Sequence, residues 1–169
     1  NEYIPNLATA YEWVDSKTIE FDLRKGVTFH NGEKFDADDV VYTLTYISNP
    51  ENGAKPARNV NWWDSAEKLG DYKVRLNLTK EFPAALEFLS GPIVMYPNEY
   101  YAEVGPEGMA MKPVGTGPYA VTSVEPGKRY KFKKNDNYHA SSPKGQANIG
   151  NIVIRTIAES NTQLAELFS

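Results

Sequence analysis

The chain has 169 residues, enough for one domain of ordinary size or a small domain with part of another. Apolar residues make up 41%, too many for a disordered chain, and the formal net charge is -4 with both signs interspersed and no basic stripe, which argues against a nucleic-acid partner. Cysteine is absent, removing disulfides, thiol catalysis and thiolate metal sites and leaving the compartment open, and no apolar run approaches the length of about 18 residues that a membrane helix needs.

In chain order, the first strong signal is residues 18–24, "TIEFDLR". Ile19, Phe21 and Leu23 alternate with Glu20, Asp22 and Arg24, which predicts a half-buried strand. Residues 36–48 place Ala37, Val40, Val41, Leu44 and Ile47 on one face at helical spacing. Residues 49–64 read as a long polar loop ending in two tryptophans. A second alternating strand is expected at 72–78 on Tyr72, Val74, Leu76 and Leu78. A short helix is expected at 83–89 with Pro83 at its first position, where proline is favoured. Residues 104–118 combine Gly105, Gly108, Gly115 and Gly117 with Pro106, Pro113 and Pro118, the composition of a crossing between two structural units. Strand patterns follow at 119–124, 129–134 and 151–157. The unbroken apolar run Ile152–Ile154 in the last predicts a strand covered on both faces. A helix with Leu164, Leu167 and Phe168 as its stripe closes the chain. The abrupt start and stop predict a piece of something longer. The elements together predict a mixed α/β fold.

The most site-like stretch is residues 29–39, "FHNGEKFDADD". His30 would need Asp36, Asp38 and Asp39 as co-ligands to hold zinc, but a helix aims these carboxylates in different directions. Calcium would need a glycine at the sharp turn, which "DADD" lacks. No metal and no cofactor is therefore expected. A structural reading uses every residue. Asn31-Gly32 is a hairpin signal in which both turn positions take positive φ. Asp36 fits a helix N-cap, and Asp39 falls where a capping box places its third residue. Phe35 and Val40 fit a hydrophobic staple. Asp38 and Asp39 also complement the positive end of the helix dipole, each contributing about 0.3–1 kcal/mol when exposed.

The segment "PVGTGPY", 113–119, contains Gly115 and Gly117 but neither the Gly-Lys-Ser/Thr ending nor the following helix of a phosphate loop, so it reads as a tight turn with glycines for backbone room. His30 and His139 stand far apart in sequence, with no nucleophile-elbow pattern near a serine, and no catalytic residue is predicted. Adjacent Trp62 and Trp63 in an extended segment point to opposite faces, so one is expected to be exposed. Asn61, Trp62 and Trp63 are thus the candidate ligand-binding residues, while Asn31, Gly32, Asp36, Gly115 and Gly117 are turn and cap positions.

Several of these stretches together carry a family likeness. Leu7-Ala8, Trp13, Phe21-Asp22-Leu23-Arg24-Lys25-Gly26, Phe29-His30-Asn31-Gly32 and Ala37-Asp38-Asp39-Val40, followed by Pro113–Tyr119 and by Lys134-Asn135 through Tyr138-His139, stand in order along nearly the whole chain. In these the chain resembles the family 5 extracellular solute-binding proteins, the peptide- and nickel-binding receptors of ABC importers, with Lys134 where members carry arginine and His139 where they carry tryptophan. The resemblance implies a partial type II periplasmic-binding-protein-like fold. Residues 1–105 would form the family's inserted extra domain, and 106–169 a crossing segment and part of lobe one, with the second lobe absent. It implies a non-enzymatic receptor for small solutes, foremost oligopeptides. The expected partners are the membrane permease subunits of an importer, and the expected full-length form is a monomer. The location would be the periplasm, or the outer face of a Gram-positive cell with a lipid anchor. Nickel-chelate, opine or oligosaccharide uptake is the alternative within the family, and a secreted carbohydrate-active enzyme the alternative outside it.

Overall fold

The structure is a computed structural model, and it describes residues 3–53, 57–91 and 93–168. Two antiparallel sheets organise it. The first has four strands, β1 (Ala8–Asp15), β2 (Thr18–Leu23), β3 (Trp63–Gly70) and β4 (Lys73–Leu78), in the order β1-β2-β4-β3. The second has three, β5 (Tyr119–Glu125), β6 (Arg129–Lys134) and β7 (Asn151–Arg155), in chain order. Helix α1 (Ala37–Ser48) lies on the first sheet and contacts β3 and β4. The other helices are a four-residue α2 (Ala57–Val60), α3 (Ala85–Ser90), α4 (Asn98–Met111) and α5 (Ser160–Leu167).

The alternation read in β2 and β4 is what builds the core. Ile19 and Leu23 face Val74, Leu76 and Leu78, with Ile19↔Leu76 and Phe21↔Val74 in register. Ala37, Val40, Leu44 and Ile47 of α1 close over them, each at most 5% exposed. On the opposite face Glu20 takes Lys73 at 2.9 Å and Arg75 at 2.6 Å, and these two cations hold its carboxyl below the usual range. The solvent face is thus a cross-strand charge ladder, as expected where only one sheet face packs.

The region around α1 shows how far the local signals reach. Asp36 is the N-cap, accepting from Asp38 N at 2.9 Å, and Asp36 N in turn donates to the Asp39 carboxylate at 2.9 Å, completing a capping box. The preceding hairpin differs from the expected turn. Gly32 alone has positive φ, at 92°, and Asn31 does not. Phe29 N donates to Glu33 O, and Gly32 N to Phe29 O. This is a three-residue loop, His30–Gly32, with the glycine in the bulge position, and it needs left-handed backbone at one residue rather than two.

Four further expectations are corrected. Residues 104–111 are helical rather than loop: Gly105, at φ 64°, breaks the axis of α4 and Pro106 opens its second half, so the Gly-Pro pair punctuates two short helices. Pro83 lies in the turn before α3 rather than at its first position. The polar stretch 49–64 contains a 3-10 turn at Pro50–Asn52 and α2. Finally, β7 is not covered on both faces. Val153 is 55% and Ile154 52% exposed, because β7 is an edge strand and among the described residues no helix packs over it. Leu164, Leu167 and Phe168 are likewise exposed.

The kink in α4 has a measurable consequence. A Cβ built on Gly108 would stand 2.5 Å from Val104 Cβ, a contact that cannot form without backbone movement. Gly108→Ala is therefore expected to destabilise the chain by about 1–3 kcal/mol, against the usual gain from alanine in a helix. A thermal melt showing unchanged or raised stability would contradict this.

Candidate functional site

Residues 61–63 do not form an aromatic platform. Trp62 is 1% and Trp63 4% exposed, both inside the core, and only Asn61 keeps exposed surface. The expectation that one ring faces outward fails because the segment is not extended. Trp62 sits in the turn before β3, and a register shift follows at Trp63–Ser65. This local rotation brings both rings to one side, edge to face at 4.6 Å between centroids. Trp62 also stacks on Phe82 at 4.8 Å and donates from Nε1 to Asn59 O at 2.9 Å. Trp63 Nε1 is buried without a partner among the described residues.

Gly115 and Gly117 lie in the segment between α4 and β5. Neither takes positive φ, and added Cβ atoms would meet only His30 Cε1 at 3.9 Å or open space, so glycine is not required there by local room within this chain. What the segment supplies is backbone. Gly115 O accepts from His30 N at 2.9 Å, Gly115 N donates to His30 Nδ1 at 3.2 Å, and Gly117 O lies 2.9 Å from His30 Nε2. His30, expected only to occupy a turn, thus joins two motifs far apart in sequence, and its ring nitrogens are both committed. His139 sits elsewhere, near Ser141 at 3.3 Å, its imidazole pushed below the usual value by burial and by the nearby Arg24 charge. Among the described residues no group of three or more histidine or carboxylate side chains could hold a metal ion.

Asp39 fills the capping-box place read from the sequence, and sequence reading missed the other half of its role. It is 2% exposed, and its second oxygen accepts from Asn98 N at 2.9 Å. One carboxylate therefore serves the first turns of α1 and α4 together. Burial pushes its pKa up to about 6, against the lowering effect of the two backbone donors. Nearby, Thr43 Oγ1 accepts from Tyr96 N at 2.9 Å, a second polar tie from α1 to the chain leading into α4.

Beside this junction runs a groove of about 460 Å³ between α1 and α4, walled by Tyr42, Tyr46, Asn49, Asn52 and Asn98. Tyr42 and Tyr46 stack at 5.9 Å, and Tyr46 meets Tyr101 edge to face at 5.0 Å. Burial raises the hydroxyl pKa values of Tyr42 and Tyr101. The signal for this wall was the Tyr42/Tyr46 spacing of one helical turn. A broader polar depression of about 710 Å³ is lined by Asp22, Lys25, Asp71, Tyr72 and Lys73. Asn61, Trp62 and Trp63 line neither.

Comparison with known proteins accounts for the order of motifs. The sequence matches the family described as "Bacterial extracellular solute-binding proteins, family 5 Middle" over residues 2–169. Di/tripeptide-binding protein 3 of Pseudomonas aeruginosa is 30% identical over 158 residues, covering 80% of this chain and 30% of that protein. NikZ from Campylobacter jejuni, solved in complex with Ni(L-His), superposes with a TM-score of 0.85 at 29% identity, covering 97% of this chain and 33% of its own. MoaA from A. tumefaciens R10, solved with mannopinic acid, gives 0.87 at 25% identity over 96% and 33%. The chain thus spans about a third of the length of the proteins it matches. With its motifs, its mixed α/β fold and its full-length match in agreement, the chain belongs to the bacterial extracellular solute-binding proteins, family 5.

Proposed function

We propose that this chain is part of a receptor that captures small solutes, foremost oligopeptides, and delivers them to the membrane permease of an ABC importer. The observation carrying this reading is the family match over residues 2–169, joined to a 30% identical relative named for di- and tripeptide binding. In receptors of this kind the solute sits between two hinged lobes, and closure needs both. Residues 1–105 would form the inserted domain and 106–169 part of lobe one. The exposed apolar edge of β7, with Val153 and Ile154, is a surface that a continuing lobe would cover. Full-length protein is expected to be a monomer in the periplasm, or held at the outer face of the cell by a lipid anchor. Of residues 61–63, only Asn61 has surface to offer a solute.

A second solute class is favoured by specific neighbours. NikZ was solved with Ni(L-His) and MoaA with mannopinic acid on the same fold, which supports a metal chelate or an opine as the alternative solute. Native mass spectrometry of the full-length protein, purified without added ligand, decides between them. A bound mass corresponding to short peptides supports the first reading, and a nickel chelate or opine supports the second. Consistently empty protein that also binds none of these on addition would overturn both.

A further inference from the structure

We infer that His30 is the positioning residue that sets the three-stranded sheet against the four-stranded one. The direction of each bond follows from which atom can donate. The Gly117 carbonyl can only accept, so His30 Nε2 carries the proton across their 2.9 Å contact. The Gly115 amide can only donate, so Nδ1 is bare at 3.2 Å. A single neutral tautomer satisfies both; the other neutral tautomer loses both bonds, and the doubly protonated ring loses the one from Gly115. The backbone adds a third tie, His30 N to Gly115 O at 2.9 Å. One residue is therefore bound three times to a tripeptide 85–87 positions away.

That tripeptide is a junction. Pro113–Pro118 is the covalent route from α4 into β5. Gly117 O also accepts from Asn135 Nδ2 at 3.1 Å, and Asn135 N donates to Pro118 O at 2.9 Å, tying in the turn that leaves β6. Hairpin 27–35, segment 113–118 and the end of β6 thus meet at the Gly117 carbonyl, which takes both the His30 ring and the Asn135 amide. The hairpin is anchored in the core beside the first sheet through Val27, Phe29 and Phe35, and Val114 joins the same core. Another side-chain tie between the halves, Arg24 Nη1 to Ser141 Oγ at 2.8 Å, is exposed, where water competes for both partners. The partly buried His30 bridge is the one that holds direction as well as distance.

A ring that merely filled space would be replaced by any side chain of similar bulk, and this separates the two roles. In nitrogen-resolved NMR of this chain, His30 is expected to show a protonated Nε2 and a bare Nδ1. Residual dipolar couplings from the two sheets are expected to fit one alignment frame in the natural chain. In His30→Leu they are expected to need two frames while each sheet keeps its own shifts, with Gly115 amide exchange about tenfold faster. His30→Gln, which keeps a donor for Gly117 O, is expected to return part of the common frame. A proton on Nδ1 in the natural chain would overturn the inference. So would a His30→Leu variant whose couplings still fit the original single frame. The tautomer measurement decides the matter even if the leucine variant does not fold, and no solute enters either readout, so the outcome is independent of the receptor reading.

Discussion

Trp62→Ala is expected to destabilise the chain by about 3–5 kcal/mol, a large share of the roughly 5–15 kcal/mol that holds an ordinary domain together. The ring is 1% exposed, packs edge to face on Trp63, stacks on Phe82 at 4.8 Å and meets Phe88 at 6.3 Å. Truncation removes the largest fully buried side chain and leaves a cavity bounded by three aromatic rings, which cannot collapse without moving α3 or β3. It also orphans the Asn59 carbonyl that accepts from Nε1. Urea unfolding measures the effect directly. Trp62→Phe should recover much of the loss, since it restores the stack. A midpoint unchanged by alanine would mean that the ring is not where the structure places it, and would reopen a role for it at a surface.

Asp39→Ala is the second large effect, expected near 3 kcal/mol. Two backbone N–H groups, those of Asp36 and Asn98, lose their acceptor at once in a buried setting, and each such orphan costs about 1–3 kcal/mol. The pH dependence has a definite sign. The folded-state value of about 6 lies above the ordinary 3.8, so the folded chain holds this proton to higher pH than the unfolded chain does. Asp39 therefore contributes stability most fully below about pH 4, and that part is lost as pH rises to about 6. Glu20 runs the other way: its carboxyl is held low by Lys73 and Arg75, so its contribution is present at neutral pH and lost on strong acidification. Asp39→Asn is expected to flatten the fall between pH 4 and 6 while costing stability overall. An amide accepts from only one of the two donors and turns its own N–H₂ toward the other. Melting curves across that range check it; an identical pH slope in the two proteins would contradict the assignment.

The two effects also mark what a sequence can and cannot reveal. Alternation marks β2 and β4 because only one face of the sheet is packed, and the helical spacing of Ala37, Val40, Leu44 and Ile47 marks α1 for the same reason. β1 and β3 give no such signal. Each is an edge strand with most of its residues at least partly exposed, so neither face demands apolar side chains. Gly105-Pro106 conceals α4, since the residues that break one helix also start the next. Asp36 is legible as a cap from its local context alone. Asp39 is legible only for half of its work, because its other donor lies 59 residues away at Asn98. His30 is the same case at longer range: the turn is local, and the partners of its ring are not. The tryptophan pair misleads because period-two reasoning assumes an extended chain, and a turn with a register shift breaks that assumption at the one place where it matters. The family resemblance carries what local patterns cannot, since the order of motifs encodes long-range pairing that no single window contains.

We propose that this chain belongs to a two-lobed solute receptor and holds only part of its binding cleft. Calorimetric titration with a di- and tripeptide mixture, nickel-histidine and an opine, run in parallel on this chain and on the full-length protein, tests it most directly. Saturable heat is expected for one of these solute classes with the full-length protein, and none, or affinity weaker by orders of magnitude, with the 169-residue chain. Equal affinity in the two would contradict it.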